Sequence, residues 1–258
     1  MKEETWKTAI TKIERNKVLL RGYRIDELIE NITFTQAVFL ALKGELPSGK
    51  EAKMIDAILV SAIDHGVTSP SCISARTITS TGAPLSAALA GGILTISKHH
   101  GGAIEDCMNV IQGAVQHKKD TNKTEEEIAA ILSKEYKERN KRLPGLGHRI
   151  HTEDPRTIKL FQIATDLGIA GEHVKMAKAI EKAVGKDTGR RLPINVDGAI
   201  AALLCEMRFP PELANAFFIL GRLPGLIAHV YEEKKKMKPM RYINTREHKY
   251  DGHPERKL

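Results

Sequence analysis

Residues 141–156 read KRLPGLGHRIHTEDPR. Pro144 and the glycines at 145 and 147 keep this stretch out of a helix. It nevertheless carries two histidines, His148 and His151, among arginines whose charge is permanent, and Arg156 stands behind an Asp-Pro step. Most stretches of this kind are solvated basic turns. A site that holds a polyanion and moves a proton would need the same residue types. The surrounding sequence decides between the two.

Those surroundings are helical. TFTQAVFLALKG (33–44) opens with Thr33 and Gln36 in capping-box spacing, repeats Phe34, Ala37, Val38, Ala41 and Leu42 at helical intervals, and stops at Gly44. TEEEIAAILSKEYKER (124–139) is built the same way, with Thr124 and Glu127 as the box and Ile128, Ile131, Leu132 and Tyr136 as the buried stripe. Helices are also predicted over 172–186 and 211–223, the second apolar almost all round and therefore central. KVLLRGYRI (17–25) is the one good strand candidate, and EEKKKMK (232–238) reads as a solvated helix end. The expected fold class is all-α. No long linker separates two independent units, so a second domain is expected to be a lobe on the first.

At 258 residues the chain can bury a core without metal or disulfide staples. Cys72, Cys107 and Cys205 lie far apart without CxxC spacing, as structural thiols of a reducing compartment do. The start is charged throughout and lacks a secretory apolar region. The longest apolar run, 83–96, falls short of the roughly 20 residues that span a bilayer. A cytoplasmic protein without a membrane partner is expected. The net charge of +8 is concentrated at the end: from Lys234 onward there are nine Lys/Arg against three Asp/Glu. The body is near neutral and no nucleic-acid signature accompanies the basic tail, so nucleic acid is not expected as a partner.

Five stretches interrupt the helical pattern with polar residues beside glycine, proline or serine: 61–76, 97–107, 145–156, 192–204 and 219–229. Each alone reads as a cap or a turn. In order, they resemble the citrate synthase superfamily over nearly the whole chain. The resemblance runs from LLRGYRIDELIENITFTQAVFLALKGELPS (19–48) through DH (64–65), HGG (100–102), GHR to DPR (147–156), NVD (195–197) and GR to AH (221–229).

The resemblance implies a multi-helical homodimer, or a higher homo-oligomer. Its large domain would be 1–101 with 209–258, and its smaller closing lobe 102–208. It also implies carbon–carbon chemistry between acetyl-CoA and oxaloacetate. By resemblance Asp197 is the base, His100 the donor to the enolate oxygen, and His148 the acid–base group at the oxaloacetate carbonyl oxygen. Arg156 and Arg222 match carboxylate clamps, His65 a further substrate-binding histidine, and a tail residue reaches the neighbouring subunit's site. Arg241 is preferred to Lys238 there because a carboxylate suits the guanidinium fork. Leu143, Gly145, Leu146 and Gly147 match the turn that meets the CoA adenine, with Arg190 and Arg191 near its phosphates. His99 and His151 flank the matching positions without occupying them. The implied substrates are citryl-CoA, acetyl-CoA, oxaloacetate and citrate. The coenzyme A thioester is a substrate, and neither a permanently bound cofactor nor a metal is expected.

The chain departs from the usual synthase pattern. Ile104 stands where HGGAN has Asn, and NVD is followed by Gly198, Ala199 and Ile200 in place of an aromatic or His and then Ser. HGGAI and NVDGAI look like the citryl-CoA lyase branch, which includes the module at the C-terminal end of ATP-citrate lyase. Three functions stand at this point. The first is a citryl-CoA lyase, fed by a separate citryl-CoA synthetase. The others are a citrate or 2-methylcitrate synthase, and a non-catalytic relative that binds CoA or citrate.

Overall fold

The computed structural model of the protein describes residues 6–147 and 152–257. Its elements run β1 (Thr11–Glu14), β2 (Lys17–Leu20), β3 (Tyr23–Arg24), α1 (Ile25–Asn31), α2 (Phe34–Lys43), α3 (Gly49–Ser61), α4 (Pro70–Ser80), α5 (Leu85–Leu94), α6 (Ala103–Thr121), α7 (Glu125–Glu138), α8 (Pro155–Asp166), α9 (Glu172–Thr188), α10 (Val196–Glu206) and α11 (Ala214–Lys236). The expected strand region is the second and third strands of a small antiparallel sheet, ordered β1-β2-β3 with Ile13 opposite Val18 and Leu20 opposite Tyr23. The rest is helix, as the all-α class requires.

By packing, the chain divides into two compact units, residues 1–63 with 98–222 and residues 64–97 with 223–258. The lobes expected from the resemblance, 1–101 with 209–258 and 102–208, have other boundaries.

In the first unit α10 is the central helix. Nearly every side chain from Val196 to Cys205 is buried, and the helix packs on α6, α8 and α9. Ile104, Ala199 and Ile200 are fully buried, so the apolar residues at these positions pack the core. A second cluster joins Ala114 and Val115 of α6, Ile128 and Ala129 of α7, and Met176, Ile180 and Val184 of α9, with Leu132 and Tyr136 packed against it as expected. Helix α2 has both capping-box bonds and ends at Gly44 in the left-handed region, φ 85°. Its buried face differs from the one expected. Phe39 and Leu40 are inside, while Phe34 is 77 % exposed. The sequence offers two apolar stripes, and the choice was made by Phe209, whose ring meets Phe39 edge-on at 5.3 Å and Phe217 at 4.8 Å.

In the second unit α4 and α5 pack together around Cys72, Ala75, Ala88, Leu226 and Val230. Gly92 permits the close approach, since a Cβ there would lie 3.0 Å from the Ser71 carbonyl oxygen and 3.1 Å from the Ala75 Cβ. The helix expected over 211–223 instead begins with a 3-10 turn, Pro211–Leu213, and α11 then continues through Pro224 to Lys236. The burial of Leu226 and Val230 offsets the bond that Pro224 removes. The 232–238 run is likewise not wholly solvated: Glu233 is 2 % exposed, accepting from Arg76 Nε at 2.6 Å and from Arg241 Nη2 at 2.7 Å.

Candidate active site

Asp197 occupies the first turn of α10, whose N-cap Asn195 accepts from the Gly198 amide at 3.1 Å. A carboxylate here gains from the helix dipole. Dense protein surrounds it nonetheless, and although its outer edge remains partly exposed, desolvation raises its pKa to about 6. The guanidinium groups of Arg156 and Arg222 work against that rise, and the Asp154 carboxylate adds to it. Three charged groups thus act on a single carboxyl.

Arg156 is held from behind. Asp154, 1 % exposed, caps α8 by accepting from the Arg156 amide at 3.0 Å. The same carboxylate accepts from Arg156 Nε at 3.0 Å and Nη2 at 2.8 Å, a bidentate fork that fixes the guanidinium plane. Asp154 was missed as a functional residue, though its place two residues before Arg156, across Pro155, was the available signal. Arg222 is buried, donates from Nε to the Ala62 carbonyl at 2.9 Å, and lies over the Phe218 ring at 4.7 Å. The His100 ring meets the same Phe218 edge-on at 5.6 Å. The first unit therefore brings together Asp197, Arg156 and Arg222, and sets both Arg222 and His100 against the Phe218 ring. His148 and His151 lie outside the described residues.

The turn that leads to His148 is zipped to the start of α10. Asn195 N donates to the Gly145 carbonyl at 3.1 Å, Gly147 N to the Pro193 carbonyl at 2.7 Å, and Asn195 Nδ2 to the Gly147 carbonyl at 2.9 Å. Leu146 and Ile194 form an antiparallel bridge between them. One side of this zipper faces a cleft of about 700 Å³, lined among others by Leu143, Leu146, Gly147 and Arg190. Gly145 backs onto α10 instead. Arg191 turns away from the cleft, pairs with Glu153, and lines a separate groove. Lys137, Lys141 and Arg142 join the cleft and were not foreseen; the basic run before LPGLG was their signal. An apolar wall with several cations suits a planar base carrying phosphates. Among the described residues no group of three His, Cys, Asp or Glu side chains is placed to hold a metal.

The second unit carries His65 and Arg241. His65 is exposed on the loop before α4. Its neighbour Asp64 fixes that loop, accepting from the Gly66 amide at 2.9 Å and standing 3.0 Å from His229 Nε2. Arg241 donates from Nε to Glu233 at 2.9 Å as well as from Nη2, so one edge of its fork is already engaged. Lys238 is exposed, as is His99.

Known proteins resemble the chain in sequence and in fold. Residues 48–243 match the family model for the citrate synthase C-terminal domain. "Putative citrate synthase 2" of Mycobacterium tuberculosis is 33 % identical over 216 residues, covering 81 % of this chain and 54 % of that protein. The chain thus spans about half the length of the curated relatives it matches first. The solved structure of citryl-CoA lyase from Hydrogenobacter thermophilus superposes with a TM-score of 0.90 at 45 % identity, covering 98 % of this chain and 97 % of that one. ATP citrate lyase from Methanothrix soehngenii, solved with citrate and coenzyme A, shares the fold with a TM-score of 0.85 at 22 % identity over 99 % of this chain and 43 % of its own. Motif order, helical architecture and family match converge: the chain belongs to the citrate synthase family.

Proposed function

We propose that the protein is a citryl-CoA lyase that cleaves citryl-CoA to acetyl-CoA and oxaloacetate. The observation that carries the choice of reaction is the 45 % identity to a citryl-CoA lyase over nearly the full length of both chains. The site chemistry is consistent with it. The tertiary hydroxyl gives its proton to His148 and the carbon–carbon bond breaks. The hydroxyl carbon becomes the ketone of oxaloacetate, and the bonding electrons pass into a thioester enolate. His100 donates to the enolate oxygen, and Asp197 returns a proton to the carbon, giving acetyl-CoA. An Asp197 pKa raised to about 6 supports this role, because proton transfer is most efficient when the pKa lies near working pH. Arg156, fixed by Asp154, and Arg222 hold carboxylates of the substrate. CoA lies against Leu143, Leu146 and Gly147, with Arg190 near its phosphates.

The same reading includes a lobe of residues 102–208 that closes on the remainder, His65 as a further substrate-binding histidine, a homodimer in which a tail residue reaches the neighbouring site, and a cytoplasmic location. A separate synthetase that makes citryl-CoA from citrate would supply the substrate. Synthase activity is the second reading, favoured by the 33 % identity to a putative citrate synthase. Purified protein incubated with citryl-CoA separates the two. Oxaloacetate with intact acetyl-CoA is the expected outcome, citrate with free CoA means the synthase reading, and neither product removes both.

A further inference from the structure

Gly198 follows Asp197 in the first turn of α10, with a backbone conformation that any residue can adopt. Space, not conformation, is what calls for glycine. A Cβ at 198 would fall 2.4 Å from the Gly145 carbonyl oxygen and 2.9 Å from Ile194 Cγ2. The opposing residue is also glycine, with φ at +77°, and a Cβ there would meet the Gly198 Cα at 2.8 Å and Cys107 Sγ at 2.6 Å. Two glycines thus face each other, and the LPGLG turn lies directly on the catalytic helix. Behind them is a void of only about 20 Å³, lined by Cys107, Val110, Ile111, Leu143 and Ile194 among others. A pocket this small and apolar gives an ordered water no set of polar partners.

We propose that the Gly145–Gly198 contact is specificity-determining: it seals the wall beside Asp197 against the water that would hydrolyse the thioester. This rests on the citryl-CoA reading above. Two reactions compete for one bound molecule. Cleavage consumes no water. Hydrolysis adds a water oxygen to the thioester carbonyl carbon; the carbon–sulfur bond breaks, CoA leaves as a thiolate that takes up a proton, and the new carboxyl of citrate loses one. That water must stand near both the thioester carbon and a group able to accept its proton, and Asp197 is such a group. The next residue along the helix, Gly198, packs on the Gly145 backbone, and the two segments are hydrogen-bonded together. Any side chain at 198 has to part the turn from α10. The glycine here avoids such a parting.

Gly198→Ala tests the idea directly. Wild type and variant are each given citryl-CoA, with oxaloacetate and free thiol measured separately and folding checked by thermal melting. Wild type is expected to form oxaloacetate with thiol release at the uncatalysed rate. In the variant the ratio of thiol to oxaloacetate is expected to rise by roughly tenfold or more. An unchanged ratio in a folded variant overturns the proposal. Asn195→Ser retains a helix cap but cannot reach the Gly147 carbonyl, so it loosens the same contact without adding bulk at 198. It is expected to shift the ratio the same way, and it decides the matter should Gly198→Ala not fold; an unchanged ratio there also overturns the proposal. A wild type that hydrolyses as fast as it cleaves, or does neither, sinks the lyase reading and this proposal with it, a result distinct from variants that fail to differ.

Discussion

At the scale of single residues, Asp197 carries the clearest conflict. A helix N-terminus and two arginines favour its charge, yet desolvation outweighs them and the pKa rises to about 6. Its ordinary value is about 3.9. Between these two values the folded protein keeps a proton that the unfolded chain has released, so stability falls as pH rises through the window. Asp197→Asn removes the titration while keeping the shape. The variant is expected to match wild type near pH 4 and to exceed it at pH 7 by on the order of 2 kcal/mol, measured by urea unfolding at both pH values. Its turnover should drop about 100-fold or more. A variant with no gain at pH 7 would mean that desolvation is not what raises this carboxyl. Asp197 and its arginines were legible from the order of motifs, which is a property of the chain. Asp154 was not, because its importance lies in being 1 % exposed beneath Arg156, and burial is decided by the fold.

At the scale of elements, the sequence was most informative where the signal was local. The capping boxes at Thr33 and Thr124 both form, and Gly44 stops α2, because each needs only residues within one turn. It was least informative where two local signals tie. Helix α2 has two apolar stripes, and only the distant Phe209 selects between them. Pro224 looks like a stop signal, yet α11 passes through it. Glu233 is the sharpest case, since a carboxylate in EEKKKMK reads as solvated until Arg76 and Arg241 are seen to close over it. Burial pushes its pKa up, but hydrogen bonds from Arg241 and Arg76 outweigh this and hold it below the usual carboxylate range. Replacing it by alanine leaves Arg76 buried and unneutralised. Glu233→Ala is expected to cost about 3–5 kcal/mol of unfolding free energy, and Glu233→Gln distinctly less because it retains a hydrogen-bond acceptor. Equal losses for the two would show that the cluster requires the charge and gains nothing from a neutral acceptor.

At the scale of the whole molecule, the second unit leaves much apolar surface uncovered. Helix α5 is apolar almost all round, yet only Ala88 and Gly92 are buried in it, and Leu94 is 81 % exposed. Ile73 on α4 and Tyr231 on α11 add 51 % and 65 % exposed side chains in the same unit. An isolated exposed leucine is unremarkable, but several exposed apolar side chains on the helices of one unit suit a surface that a partner covers. A second copy of the chain is the occupant that the family reading supplies, and a two-fold interface would present the same patch from both sides. Sedimentation velocity at micromolar concentration is therefore expected to give a dimer or larger assembly. Leu94→Glu with Ile73→Glu should shift it to monomer, because each charge must be desolvated twice in a symmetric contact. If tail residues complete the neighbouring site, the monomer should also lose citryl-CoA cleavage while its thermal melt remains cooperative. A wild type that sediments as a fully active monomer would leave the patch without this explanation and confine the whole reaction to one chain.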